Sequence, residues 1–307
     1  MLFRSLAAVA ALLAVALPSA AQEVDLRAQV AAFVQPSNEA RTGVVVDQLR
    51  AAGFEPVVET FAGGNPRGGE RAGRNVVVTL GDGPREILLT AHYDAVVLRD
   101  GTLSHGVVDN AASVVGVIEA AKILRDKDLN HRVRVILFDQ EELGLVGARK
   151  WIEAHGLDNV AAVVNSDVAG YGDTMMYGQN NGPQSAFMTR AVQELCAERA
   201  MQCVGFPIYP PSDDRAFSGA GRPAGAPPAA VVPTLSLGFQ DEVGAHQMWL
   251  AFNGGEAPGL AEGFVPRVFQ LIHSADDTME QIDPATVRTA GEVYAALVEK
   301  LDAQLGD

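Results

Sequence analysis

The run Val133-Arg134-Val135-Ile136-Leu137-Phe138-Asp139-Gln140-Glu141-Glu142-Leu143-Gly144 passes from an apolar strand pattern straight into two adjacent carboxylates. A helical pattern, Val146 to His155, follows it. Like charges this close repel, and burial raises the pKa of each. A strand-to-helix turn with no task would not keep them together, and a bound cation relieves the repulsion. The remainder of the chain is read for the other ligands such a cation needs.

Apolar strand patterns flank this run on both sides. Asn75 to Leu80 and Ile87 to Ala91 precede it, and Val160 to Val164 and Val232 to Leu237 follow. Helical spacing marks residues 26–51 with a break near Pro36, then Ala111 to Arg125, Gln184 to Arg199 and Val287 to Leu301. Asn110 reads as the N-cap of the second of these. Gly63 to Gly73 and Ala220 to Ala230 read as loops, and residues 239–268 as a loop or lid. Strands alternating with helices predict an α/β three-layer sandwich, with a central mixed, mostly parallel sheet and helices on both faces. Residues 22–307 are expected to form one domain, since no linker separates two cores.

In such sheets ligands bind beyond the carboxyl ends of the strands. There the sequence places His92, Asp109, Glu141, Glu142 and Asp167, and a late block adds His273. A lone histidine ending an apolar strand is more often structural, and a lone aspartate there is usually a turn former. Only the joint pattern carries weight. Two imidazoles and three or more carboxylates suit zinc. Asp109, Glu142 and Asp167 with a hydroxide carry four negative charges, which two divalent cations balance. Glu141 is then left as general base. Asp94, two residues beyond His92, is placed to orient that imidazole. His105, His131 and His155 read as surface residues, and His246 as a residue of a late loop.

The sequence carries no His-Glu-x-x-His, nucleophile elbow, phosphate loop or dinucleotide fingerprint. A net charge of -15 over 307 residues argues against nucleic acid and anionic membrane surfaces as partners. Arg4, the apolar run Leu6 to Leu17 and Pro18-Ser19-Ala20-Ala21 give residues 1–21 the form of a signal peptide. The expected product is exported, periplasmic or secreted, where Cys196 and Cys203 can either pair or stay as small buried hydrophobes.

Five blocks then occur in the order seen in one known family: Ala91 to Asp94, Gly106 to Ser113, Phe138 to Gly147, Asn165 to Gly170 and His273 to Thr278. The chain resembles the zinc-dependent aminopeptidases of the binuclear zinc exopeptidase clan, relatives of glutamate carboxypeptidases and glutaminyl cyclases. That resemblance implies two Zn2+ per chain and a peptide substrate with a free N-terminus. It implies that Asp109 bridges the ions, His92 and Asp167 complete one site, and Glu142 and His273 the other. Glu141 would be the base and Asp94 the support of His92. One departure stands out: Ser212-Asp213-Asp214-Arg215-Ala216-Phe217 has Asp214 where the family often has His. Glutaminyl cyclisation, carboxypeptidase activity (with Arg215 reading a carboxylate) and a catalytically inactive binding domain are the alternatives.

Overall fold

The computed structural model describes residues 20–66, 69–219, 231–255 and 259–306, with side chains from Asp25 onward. Residues 1–19 of the expected signal segment and all of the Ala220–Ala230 stretch lie outside the described residues. Eight strands form one sheet: β1 Val57–Asn65, β2 Gly69–Leu80, β3 Glu86–His92, β4 Arg132–Phe138, β5 Val160–Ser166, β6 Thr174–Gly178, β7 Cys203–Phe206 and β8 Thr234–Gln240. Nine α-helices among the described residues pack around it: α1 Ala20–Ala31, α2 Asn38–Ala51, α3 Ala112–Leu124, α4 Val146–His155, α5 Ala186–Glu198, α6 Asp214–Ser218, α7 Glu242–Asn253, α8 Arg267–Leu271 and α9 Pro284–Gly306.

The strand order is β1-β2-β4-β3-β5-β8-β6-β7. The four central strands, β4, β3, β5 and β8, run parallel. β1 and β2 add an antiparallel hairpin at one end, and β6 runs antiparallel to β8 at the other. Side-chain alternation along a strand builds the two outer layers. Ile87, Leu89 and Ala91 of β3 join Val133, Val135 and Leu137 of β4 in the larger core, under residues of α1, α3, α5 and α9. Leu88, Ile136 and Phe138 point the other way, onto Trp151 of α4 and Phe217 of α6. β3 is buried along its whole length, as its continuous apolar reading requires. The three-layer sandwich expected from the alternation is the architecture found.

Several local expectations are corrected. Gly63 to Gly73 is no loop but the β1–β2 hairpin, paired from Val57–Val77 to Asn65–Gly69. Its glycines permit close approach: a Cβ on Gly73 would meet the Phe61 ring at 2.2 Å and Gln140 Nε2 at 2.8 Å. Gln140 docks the hairpin, accepting from Gly64 N at 2.7 Å and donating to Ala72 O at 3.1 Å. Residues 239–268 are not a plain loop: β8 runs to Gln240, Asp241 caps α7 by accepting from Gly244 N, and α8 begins at Arg267. The short strands β6 and β7 fell below what periodicity can detect. Asn110 does not cap α3; Ala111 stands there with no side-chain cap, and the Asn110 amide is used elsewhere. His131 is not at the surface but buried, with Nδ1 2.9 Å from Asp302 Oδ1. His246 sits on α7, exposed, rather than in a loop.

Candidate metal centre

Because β3, β4 and β5 run parallel, their carboxyl ends lie on one edge of the sheet. Register pairs His92 with Phe138, and Ala91 with Ser166. The three following turns therefore deliver His92, Glu141–Glu142 and Asp167 to one place. Asp109 arrives on the irregular turn Val107–Ala111 before α3, and His273 on the segment after α8.

All five expected ligands meet, in two triads that share Asp109. His92 Nε2 lies 3.1 Å from Asp109 Oδ1 and 3.6 Å from Asp167 Oδ1. His273 Nε2 lies 3.2 Å from Asp109 Oδ2 and 3.1 Å from Glu142 Oε2. The two oxygens of Asp109 thus face different triads. Glu142 Oε1 is buried without a partner. A mixed set of nitrogen and carboxylate oxygen donors, one shared carboxylate and an orphaned acceptor fit two borderline divalent cations.

The electrostatics of the cluster favour added positive charge. Burial pushes the Glu142 carboxyl up to about 7, with the Asp109 charge adding to it. Burial pushes Glu141 well above the usual carboxylate range, and Asp213, Asp167 and Glu142 add to the effect. Hydrogen bonds to Asp109 and Glu142 raise His273 to about 11. Burial opposes the His92 cation, but its contacts with Asp109, Asp167 and Asp94 outweigh it and raise this imidazole as well. Without metal, imidazolium charge stands between the carboxylates; the site is short of positive charge.

Each ligand-bearing turn is held by a buried side chain from another element. The Asp94 carboxylate accepts from Glu141 N at 3.0 Å and Glu142 N at 3.2 Å, with Oδ1 3.5 Å from His92 Nδ1. Asn110 donates to Ser166 O at 2.9 Å and accepts from Val168 N at 3.1 Å, bracketing Asp167. Asp277 accepts from Val107, Val108 and Asp109 N. Gly147 lets α4 seat against the Glu141–Glu142 turn, since a Cβ there would meet Asp139 O at 2.1 Å. Gln140, Val168 and His273 adopt left-handed φ of 62°, 65° and 58°. Such strain in non-glycine residues collects at functional sites.

Of the holding residues, Asp94 was read from the sequence and the others were not. Asn110 stood inside a quoted block read only as a helix cap, and Asp277 stood inside another without a role. Arg41 had a signal, a charge sharing the buried stripe of α2 with Val45 and Leu49. At the departure, Asp214 is buried, pushed up to about 6 by that burial, and accepts from Ser212 N. Asp213 is buried with neither carboxylate oxygen partnered. Arg215 donates to Tyr209 O at 3.1 Å and lies 3.8 Å from Asp214, turned to structural use.

Two cavities flank the ligands. One of about 250 Å³ is lined by Asp109, Glu141, Asp167 and His273 on one side and by Met176, Met248, Phe252, Phe269 and Ile272 on the other. The other, about 660 Å³, is lined by Asp94, Glu142, Arg71, Arg74 and Gln140 together with Val96, Val97, Leu103 and Leu143.

Residues 75–298 match peptidase family M28. The chain belongs to this family. It is thereby a zinc-type metallopeptidase at the level of family, as the five blocks led us to expect. Aminopeptidase YwaD of Bacillus subtilis is 33% identical over 70 residues, covering 23% of this chain and only 14% of that relative's length. Among solved structures, a Zn-dependent exopeptidase from Parabacteroides distasonis superposes with a TM-score of 0.69 at 17% identity, covering 92% of this chain and 98% of that one. Porphyromonas gingivalis glutaminyl cyclase gives 0.66 at 18% identity, covering 92% and 97%. The zinc aminopeptidase BSAP of Bacillus subtilis gives 0.56 at 20% identity, covering 74% and 50%. At these identities the solved structures speak for the fold.

Proposed function

We propose that the protein is an exported aminopeptidase that binds two zinc ions and hydrolyses peptide bonds after apolar N-terminal residues. The observation that carries this reading is the split Asp109 carboxylate, one oxygen to each triad, with Glu141 on the wall of the adjoining apolar cavity. Zinc bound there would supply Lewis acidity to a scissile carbonyl and lower the pKa of a water. Glu141 is the group left over to move protons. It takes the proton of the attacking water and returns it to the leaving amine. Its high proton affinity in the metal-free protein would fall once cations neutralise Asp109, Asp167 and Glu142 around it.

The apolar wall built by Met176, Met248, Phe252 and Phe269 takes the N-terminal side chain, and Asp167 on the same cavity offers charge to the free α-amine. The leaving chain runs into the larger cavity beside Glu142 and Asp94. Export is supported by the form of residues 1–21 and by the disulfide that joins Cys196 to Cys203, a bond of oxidising compartments.

Glutaminyl cyclisation is the second reading, since a glutaminyl cyclase is among the folds that cover the chain most fully. A panel of aminoacyl-nitroanilides, run beside a peptide with N-terminal Gln, separates the two. Zinc-dependent hydrolysis favouring Leu, Met and Phe is expected. Cyclisation of the Gln peptide with no release of nitroaniline would overturn the aminopeptidase reading.

A further inference from the structure

Arg41 lies on α2, ahead of the residues that match the family, and is fully buried. Buried arginine normally faces a carboxylate, because its charge is expensive to desolvate. Arg41 instead spends its guanidinium on four backbone carbonyls. Nη1 donates to Phe33 O at 2.9 Å and to His105 O at 2.8 Å, Nη2 donates to Gly106 O at 3.0 Å, and Nε donates to Tyr93 O. Tyr93 follows His92, and Gly106 opens the turn that carries Asp109.

The opposite side of that turn is held by Asp277. Its Oδ1 accepts from Val107 N at 3.0 Å and Val108 N at 2.7 Å, and its Oδ2 from Asp109 N at 3.2 Å. The carbonyls of residues 105 and 106 therefore point to a buried cation and the amides of residues 107 to 109 to a buried anion. Gly106 sits at the reversal with φ 55°, where a Cβ would meet Ala95 at 2.7 Å and Asp109 O at 2.8 Å. The two charges act on each other through the backbone they grip. Burial pulls the Arg41 guanidinium down to about 10, and the charges of Asp94, Asp277, Asp109 and Glu142 offset part of that cost.

We propose that Arg41 and Asp277 are positioning residues that pre-set the Asp109 turn, so that the shared carboxylate presents one oxygen to each triad before any cation arrives. Only a planar fork with several fixed donors can span carbonyls of three separate segments; an ammonium cannot. This inference rests on Asp109 being the shared metal ligand, so zinc binding by the wild-type protein is measured first. Absence of binding would sink that reading and leave the Arg41 claim to the exchange experiment below.

The test is zinc affinity by chelator competition for Arg41→Gln, Arg41→Lys and Asp277→Asn, each at a temperature well below its own Tm. A role confined to anchoring α2 lowers Tm and leaves affinity and kcat alone. The expected result is about a tenfold or greater loss of zinc affinity in all three, with little rescue by Lys, and a smaller combined loss in Arg41→Gln/Asp277→Asn than the sum of the singles. A folded Arg41→Gln protein with wild-type zinc affinity would overturn the proposal. Hydrogen exchange on metal-free wild-type protein keeps the claim testable should the variants not fold. The amides of Val107, Val108 and Asp109 should be protected without zinc, and protection that appears only with zinc would refute pre-setting.

Discussion

Replacing Asp94 by Asn changes two atoms' chemistry and little of the shape. The Asp94 carboxylate accepts from the amides of Glu141 and Glu142 at 3.0 and 3.2 Å while Oδ1 sits 3.5 Å from His92 Nδ1. Asparagine has one oxygen, so one of the two amides loses its acceptor and faces an NH2 group instead. Losing one hydrogen bond to a charged acceptor costs about 1.5–3 kcal/mol. His92 Nδ1 keeps the Asp94 carbonyl oxygen 3.3 Å away but loses the carboxylate charge 3.5 Å from it. The size agrees with the roughly 10- to 100-fold loss of metal affinity seen when such supporting carboxylates are removed. Chelator competition at neutral pH should therefore show zinc affinity falling by about one to two decades, with kcat falling alongside and the far-UV circular dichroism unchanged. An Asp94→Asn protein that binds zinc as wild type does and turns over at the wild-type rate would refute the reasoning.

Glu141→Gln should keep zinc and lose kcat by about 10²- to 10⁴-fold, because it removes the proton carrier and none of the ligands; retained turnover would take Glu141 out of that role. Metal-free protein should lose stability as pH rises from 5 to 8. Burial raises the folded pKa of Asp277 to about 6 and of Asp139 and Glu142 to about 7, so the folded state holds protons that the unfolded chain has released above about pH 4. At about 1.4 kcal/mol per pKa unit, Asp277 alone accounts for on the order of 3 kcal/mol between about pH 4 and 6, roughly half of it above pH 5. His273, raised to about 11, acts in the same direction above about pH 6.5. Melting scans with chelator should show Tm falling across that range and a flatter profile with zinc; a metal-free Tm that rises would contradict the burial argument. Reducing the Cys196–Cys203 bond, which closes a loop of sequence separation 7, should cost about 2–3 kcal/mol and roughly 4 °C in Tm while activity persists. Identical melting of oxidised and reduced protein would show that the short loop was already ordered without it.

The architecture was legible because it follows from one-dimensional patterns. β3 is apolar without interruption and lies buried on both faces; β4 alternates at its start, where Arg134 reaches Glu86 at 2.6 Å. The candidate site residues were legible because a parallel sheet brings strand ends together, so His92, Asp109, Glu141, Glu142 and Asp167 could be gathered without knowing any contact. What sequence did not disclose was the work of side chains that act across the chain. Asn110 looks like a helix cap in its neighbourhood, but its amide is committed to Ser166 and Val168, more than fifty residues away. His131 looks like a loop residue until Asp302, at the far end of α9, is seen beside it. The glycines of residues 63–73 look like flexibility, whereas they allow Phe61 and Gln140 to pack into a hairpin. Arg41 shows the limit most clearly, since its partners are carbonyls, and a backbone carbonyl leaves no mark on the identity of the residue that owns it.

The central claim is that Asp109 is shared by two cations, and anomalous scattering at the zinc edge from a crystal of the protein as purified tests it directly. Two peaks are predicted per chain, one among His92, Asp109 and Asp167 and the other among Asp109, Glu142 and His273. A single peak, or peaks that leave Asp109 outside the coordination shell, would contradict it.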